Sequence, residues 1–229
     1  MVKKVSTIYN KDSRYMLEIE DSSVDYVITS PPFNIGHQYN YYVDKVTLDD
    51  ITDLYETFIL STQRVLKSSG IFIIDIADVV VMENDIVFAA DLIKHICSKV
   101  GLRHVKTIPY IVKELDIQQN ICIMRNSNIC THSNCEQIMY FVKGDIGDLG
   151  IKSFVYDLEY DYSESSDKAF WPKKLIDDIL NTITVTNRII LDPFMGSGEL
   201  GKLAIKMDAK FVGYDIDTEI LTLNGWELG

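Results

Sequence analysis

Short runs of β-branched and aromatic residues recur along the chain: KKVSTIY (3–9), VDYVI (24–28), IFIIDI (71–76), HVKTIPYIV (104–112), QIMYFV (137–142), RIIL (188–191) and KFVGY (210–214). Each has the length and composition of a strand. Between several of them, apolar residues fall at helical spacing. Ile51, Leu54, Tyr55, Phe58, Ile59, Val65 and Leu66 share one face, and Gly70 follows soon after. Ile86, Val87, Ala90, Ile93, Ile96 and Val100 repeat the pattern, with Gly101 where a C-terminal cap belongs. Pro172 opens a third helix carrying Leu175, Ile176, Ile179, Leu180 and Ile183. Strands alternating with helices predict an α/β fold built on a mostly parallel sheet covered on both faces. The least regular stretches, 34–46, 114–134 and 144–169, are expected to be loops or a small accessory element.

Two stretches carry chemistry. In TSPPFNIG (29–36), the run VDYVI stops at Ser30-Pro31-Pro32-Phe33. A proline backbone offers an acceptor and no donor, and two in succession make a rigid turn. In RIILDPFMGSGELG (188–201), a strand runs into Asp192-Pro193-Phe194, then Gly196-Ser197-Gly198, then a helix bearing Leu200, Leu203, Ala204 and Met207. Glycines at the carboxyl end of a strand let a ligand approach the backbone closely. After KFVGY comes Asp215, placed where a carboxylate can take both hydroxyls of a ribose. Gly196, Gly198 and Gly201 spell G-x-G-x-x-G, so a nicotinamide-dinucleotide enzyme is one reading. Only fourteen residues follow Asp215, too few to finish a dinucleotide-binding domain. A sheet begun by 188–192 and 210–214 must therefore take its next strand from the N-terminal KKVSTIYNKD. The chain reads as circularly permuted, with the nucleoside-binding half at its end.

SPPF near the start with DPFMGSG near the end resembles the beta class of DNA amino-methyltransferases of restriction-modification systems. There the catalytic motif precedes the S-adenosylmethionine motif. The likeness runs through nearly the whole chain. NKDSRYMLEIEDSSVDYVITSPPFNIG is similar to the family's opening, RVLKSSGIFIID to the approach to its fifth strand, CEQIMYFVKG to its last strand, and AFWPKKLIDDI to the helix on the methionine side of the cofactor. Asp167-Lys168 stands for the usual His-Pro, and Glu199-Leu200 for the usual pair of threonines. The resemblance implies a Rossmann-like methyltransferase fold with a seven-stranded, mostly parallel sheet and permuted motif order. It implies S-adenosylmethionine as cofactor and an exocyclic amino nitrogen of DNA as acceptor. Its catalytic set falls on Ser30, Pro31, Pro32 and Phe33, and its cofactor set on Asp12, Trp171, Asp192, Pro193, Phe194, Gly196, Gly198 and Asp215. For Asp12, meeting the cofactor's adenine competes with capping a helix. A serine at the head of the motif resembles cytosine-N4 enzymes more than adenine-N6 ones.

The turn suits that chemistry. The lone pair of an exocyclic amine is delocalised into the ring, and two acceptors aimed at its two hydrogens draw the nitrogen toward tetrahedral geometry. The Ser30 hydroxyl and Pro31 carbonyl can be those acceptors. Phe33 offers a face for the base, a contact worth ~1–3 kcal/mol. The base must be flipped from a duplex or come from a single strand. In the loop that follows, Tyr39, Tyr41 and Tyr42 either close over the base or are ordinary surface tyrosines. The segment 114–134, ELDIQQNICIMRNSNICTHSN, is rich in amides and holds Arg125 and Asn126 just beyond Lys113. It reads as a small target-recognition segment or as a polar surface loop; amides suit adenine edges, and arginine suits guanine or phosphate.

With 229 residues and 47% apolar content, the chain is expected to form one methyltransferase domain over 1–229. No apolar run approaches the ~18 residues of a membrane span, and MVKKVSTIYN lacks a signal-peptide core, so a cytoplasmic setting without membrane contact is expected. A net charge of −12 argues against coating DNA indiscriminately. Lys99, Arg103, Lys106, Lys113 and Arg125 nevertheless leave room for a local basic groove, and a homodimer or partner subunit is a further expectation. Cys122, Cys130, His132 and Cys135 fit no standard metal spacing, so no metal is expected. His37, His95 and His104 read as surface or packing residues. Asp75 and Asp78 either line the site or cap a helix.

Overall fold

A computed structural model describes residues 6–34, 39–40, 45–82, 85–112, 135–145, 159–160 and 171–228. In chain order the elements are β1 (Ser6–Tyr9), β2 (Val24–Thr29), α1 (Leu48–Val65), β3 (Leu66–Ala77), β4 (Val79–Met82), β5 (Asp85–Phe88), α2 (Ala89–Lys99), β6 (Leu102–Val112), β7 (Cys135–Lys143), β8 (Glu159–Tyr160), α3 (Lys173–Asn181), β9 (Ile189–Asp192), α4 (Glu199–Lys206), β10 (Lys210–Tyr214) and α5 (Thr218–Leu223).

The main sheet has the order β1-β10-β9-β2-β3-β7-β6, the seven strands expected, with the two-residue β8 added at the β6 edge. From β1 to β3 every neighbour is parallel, and β7 runs against both β3 and β6. The N-terminal strand does complete the C-terminal half: Ser6 pairs with Phe211 and Tyr9 with Tyr214.

Alternate residues serve opposite faces, because successive side chains of a strand point to opposite sides. Tyr26 and Ile28 of β2, Ile71 and Ile73 of β3, and Ile138 and Tyr140 of β7 pack with Leu175 and Ile179 of α3 and Leu200 of α4. Val27, Phe72, Ile74, Met139 and Phe141 pack with Tyr55 and Phe58 of α1 and Ile93 of α2. The result is a three-layer sandwich, helix over sheet over helix.

Three expectations need correction. The helical run through Leu66 stops at Val65, and β3 begins at once, five positions before the expected IFIIDI. Its pairing with β2 slips between Val24 and Tyr26, which face Leu66 and Ile71. Gly70 is a residue of that irregularity and not a helix cap: a Cβ there would lie 2.9 Å from the Lys67 carbonyl oxygen. Ile86 and Val87 lie on β5, which pairs with β4 in a separate hairpin, so α2 starts only at Ala89. β-Branched residues lose side-chain freedom in a helix and favour the strand. At the other end Gly101, with φ +83°, follows the helix as expected. The third helix ends at Asn181, and Ile183 is buried just beyond its cap.

Candidate active site

Because β1, β10, β9 and β2 are parallel, the residues that follow them emerge on one edge of the sheet. From β9 the chain crosses through α4 to β10, while from β2 it crosses through α1 to β3, on the opposite face. Neighbouring strands that depart in opposite directions leave a crevice at their carboxyl ends. A cavity of about 420 Å³ occupies it, lined by Ser30, Asp12, Asp192, Asp215 and Trp171 among others. This size falls in the range of about 300–1,000 Å³ usual for small-molecule sites.

One buried hydrogen bond joins the two motifs. The Thr29 hydroxyl, at the end of β2, donates to Asp192 Oδ1 at 2.7 Å, and the Phe194 N–H donates to the same oxygen at 3.1 Å. Burial pushes the Asp192 carboxyl up to about 7, against the pull of those two donors and with a further push from the Asp215 charge. Asp215 lies across the cavity. Its Oδ2 accepts from Gly196 N–H at 2.8 Å and its Oδ1 from Asp217 N–H at 2.8 Å. Burial raises this carboxyl too. Asp215 therefore shapes the glycine turn as well as facing the cavity. Burial also works to raise Asp12, but hydrogen bonds from the Arg14 side chain and N–H outweigh it and leave the group below its ordinary value. Turns follow Asp12, not a helix, so it is no helix cap.

The Ser-Pro-Pro-Phe turn divides its members. Ser30 and Pro32 line the cavity, Pro31 is buried, and Phe33 is half-buried against the α1-side core instead of lining the cavity. The Tyr55 hydroxyl donates to the Pro32 carbonyl at 2.7 Å, bracing the turn from α1. Asn34 adopts φ +61°, and its side chain pairs with the Val46 backbone in both directions, at 2.9 and 2.7 Å. Tyr39 lines the cavity, and Asn40 Nδ2 donates to Asp217 Oδ2 at 2.8 Å.

Trp171 reaches the same cavity from the residues before α3. Its Nε1 donates to Asp75 Oδ2 at 2.7 Å, and the Tyr110 hydroxyl donates to that oxygen at 2.9 Å while also meeting Glu136. Burial, then the Glu136 charge, lifts the Asp75 carboxyl well above its ordinary range. Asp75 thus supports Trp171 from behind; Asp78 takes the Gln137 amide, and neither lines the cavity or caps a helix.

The glycines differ in what they serve. Gly196, with φ +50°, lines the cavity. Gly198, with φ +73°, does not: a Cβ there would lie 2.4 Å from the Trp226 indole nitrogen. At Gly201 the obstruction is Phe211, at 2.5 Å. The G-x-G-x-x-G spacing here reflects aromatic packing at two of its three positions. Pro193 and Phe194 line the cavity, and the Phe194 ring stands edge-on to Phe58 at 5.1 Å.

Sequence reasoning passed over Arg14 and Asp217. The signal for Asp217 was its place three residues before Ile220, whose N–H it accepts as the N-cap of α5. With these added, six described carboxylates (Asp12, Asp50, Asp192, Glu199, Asp215, Asp217) line the cavity against two cations, Lys11 and Arg14. Such a lining favours a ligand with positive charge. Tyr41, Tyr42, His37, Lys113, Arg125, Asn126, Cys122, Cys130, His132 and Asp167-Lys168 lie outside the described residues.

The chain matches the model of a family described as DNA methylase over residues 24–169 and 155–224. It is similar to the type II methyltransferase M.BglII of Bacillus subtilis, with 26% identity over 252 residues, covering 96% of this chain and 68% of that protein. The type II methyltransferase M.BamHI of Bacillus amyloliquefaciens is 23% identical over 248 residues, covering 91% of this chain and 54% of the relative. The chain thus spans little more than half the length of the latter. Among solved structures, the PvuII DNA methyltransferase (cytosine-N4-specific) superposes with a TM-score of 0.74 at 18% identity, covering 96% of this chain and 84% of the other. The M1.HpyAVI–SAM complex gives 0.66 at 19% identity, covering 96% and 97%. At these identities the two structures speak for the fold.

Proposed function

The chain belongs to the DNA methylase family, and on that premise we propose that it methylates an exocyclic amino group in a short, specific DNA sequence, cytosine-N4 in preference to adenine-N6, using S-adenosylmethionine. The observation that carries the reading is the Thr29–Asp192 hydrogen bond, which ties the Ser-Pro-Pro-Phe turn and the Asp-Pro-Phe turn to one cavity. The acidic lining and the volume of that cavity suit the cationic cofactor. Asp12, Trp171, Asp192, Pro193, Phe194, Gly196, Gly198 and Asp215 are its proposed binding set, Gly198 acting through the turn it permits. When bound there, S-adenosylmethionine supplies an electrophilic methyl group.

The chain's own residues then act on the base. The Ser30 hydroxyl and the Pro31 carbonyl accept the two amino hydrogens, which releases the nitrogen lone pair without a strong base. The turn is already braced by Tyr55 and by two prolines, so little reorganisation accompanies charge development. Tyr39, which lines the cavity, is a proposed aromatic neighbour of a flipped or single-stranded base, and Phe33 is proposed to join it by turning from the α1-side core beside Pro32, with Tyr41 and Tyr42 close by in sequence. Lys113, Arg125 and Asn126 are proposed to meet DNA from the segment 114–134, within one domain over 1–229. The preference for cytosine rests on Ser30 heading the motif and is supported by the fold shared with a cytosine-N4-specific enzyme. A nicotinamide reading gives Ser30 to Phe33 nothing to do. No described helix is long and apolar enough to cross a membrane, and the proposal sets the protein in the cytoplasm with its DNA. Recognition by a homodimer or with a partner subunit is part of the proposal.

The test is direct. Purified protein is incubated with labelled S-adenosylmethionine and mixed-sequence DNA, and the digested nucleosides are identified by mass spectrometry. N4-methylcytosine is expected; N6-methyladenine would move the acceptor to the other amine. Ser30→Ala should cut turnover while leaving cofactor affinity nearly unchanged, the mark of a group used only in the transition state. Undiminished methylation by that variant would make the hydroxyl a structural cap.

A further inference from the structure

The chain beyond α5 folds back against the glycine turn. Gly225, with φ +75°, reverses its direction, and the Trp226 N–H donates to the Leu221 carbonyl at 3.1 Å. Trp226 Nε1 donates to the Ser197 carbonyl at 3.0 Å. The indole lies against Gly198 on one side, and its centroid stands 5.8 Å from that of Phe211. Leu228 then forms an isolated parallel bridge with Ile8 of β1. Trp226 does not line the cavity, but Ser197 and Gly196 do. It also lies beyond residue 224, where the family match ends.

The peptide between Ser197 and Gly198 is held at both ends. Its N–H donates to the Met195 carbonyl at 2.8 Å, and its C=O receives the Trp226 indole. Two residues before that N–H in the chain, the Gly196 N–H is held by Asp215. The turn contains two glycines, whose backbone could otherwise adopt many conformations. From this geometry we propose that Trp226 is a positioning residue for the cofactor: by anchoring the Ser197 carbonyl and filling the space beside Gly198, it holds the Gly196–Ser197 wall in its binding conformation. Gly198 is a glycine partly because the indole occupies the place of a Cβ. The inference rests on the cofactor reading above, since it assigns Trp226 to the same site. Affinity is gained when a wall needs no ordering at the moment of binding.

The experiment is calorimetric titration of S-adenosylmethionine into the full chain without DNA, alongside thermal unfolding of the free protein. Trp226→Phe retains an apolar ring beside Phe211 and removes the indole donor with only part of the ring volume. It is expected to bind about fivefold more weakly, the loss of one ordinary hydrogen bond, with its melting temperature close to that of the wild type. Trp226→Ala, which also vacates the packing site, should weaken binding more than tenfold on the same scale. If Trp226→Ala does not fold, Trp226→Phe alone decides. Wild-type affinity in Trp226→Phe, whether or not its melting temperature falls, overturns the proposal and makes Trp226 a plain packing residue. Failure of the wild-type chain itself to bind the cofactor would instead overturn the cofactor reading, so the two failures are distinct.

Discussion

At the scale of single residues, Asp192 concentrates the chemistry of the cavity. It is buried, it links Thr29 to the turn at Phe194, and its carboxyl is pushed up to about 7. Between its ordinary 3.8 and about 7 the folded chain keeps a proton that the unfolded chain gives up. Its contribution to stability is therefore complete below 3.8 and lost as pH rises through about 7. A cationic ligand prefers the carboxylate, so binding and stability respond in opposite senses. S-Adenosylmethionine should bind more tightly at pH 8 than at pH 6, and Asp192→Asn should flatten that dependence while weakening binding at pH 8. Parallel titrations of the two proteins at both values check this, and identical slopes would remove Asp192 from the contact. The places of Asp192, Asp215 and Ser30 at the cavity were legible in the sequence because the first ends a strand and the other two follow one, each at a motif position. The support of Trp171 by Asp75 was not, because the partners lie 96 residues apart and meet only once α3 docks on the sheet.

Among the elements, the strands were more legible than their limits. Every main-sheet strand from β1 to β10 coincides with an apolar run except the two-residue β8, which is too short to show a period. The hairpin β4–β5 was hidden because Ile86 and Val87 also fit the phase of the helix that follows. Gly201 shows why a glycine pattern alone misleads. Within a helix, glycine to alanine ordinarily stabilises by ~0.5–1 kcal/mol. In α4, however, the added Cβ would lie 2.5 to 2.8 Å from atoms of the Phe211 ring. Overpacking of this kind costs ~1–3 kcal/mol, so the sign should reverse. Gly201→Ala is expected to melt at a lower temperature than the wild type, and adding Phe211→Leu should recover part of the loss. A higher melting temperature in the single variant would show that the ring moves aside freely.

For the whole molecule, charge decides how DNA can be met. The permuted order was readable from the Ser-Pro-Pro-Phe motif standing before the Gly-Ser-Gly motif in the chain, and β1 pairs in parallel with β10. The DNA-facing surface was readable only as composition. A net charge of −12, with six carboxylates lining the cavity, leaves no general attraction for a polyanion. The two cations that line the cavity are already engaged, Lys11 with Glu18 and Arg14 with Asp12. Binding must then rest on a few cations placed where phosphates or base edges pass, and Arg125, followed by Asn126 and with Lys113 just before its segment, is the proposed one. Each neutralised phosphate adds about −0.9 to the slope of log K against log salt, so affinity for DNA should depend strongly on salt. The wild type should therefore lose affinity steeply as salt rises, measured by titration at several ionic strengths. Arg125→Ala should act in one of two ways across a library of target sites at fixed salt. Relaxed preference at one base position, with the slope unchanged, marks a base contact worth about 1–3 kcal/mol. A uniform loss, with the slope reduced by about 1, marks a phosphate contact. Wild-type methylation at every site would take Arg125 out of recognition and shift the search to the tyrosines that follow the Ser30–Phe33 turn.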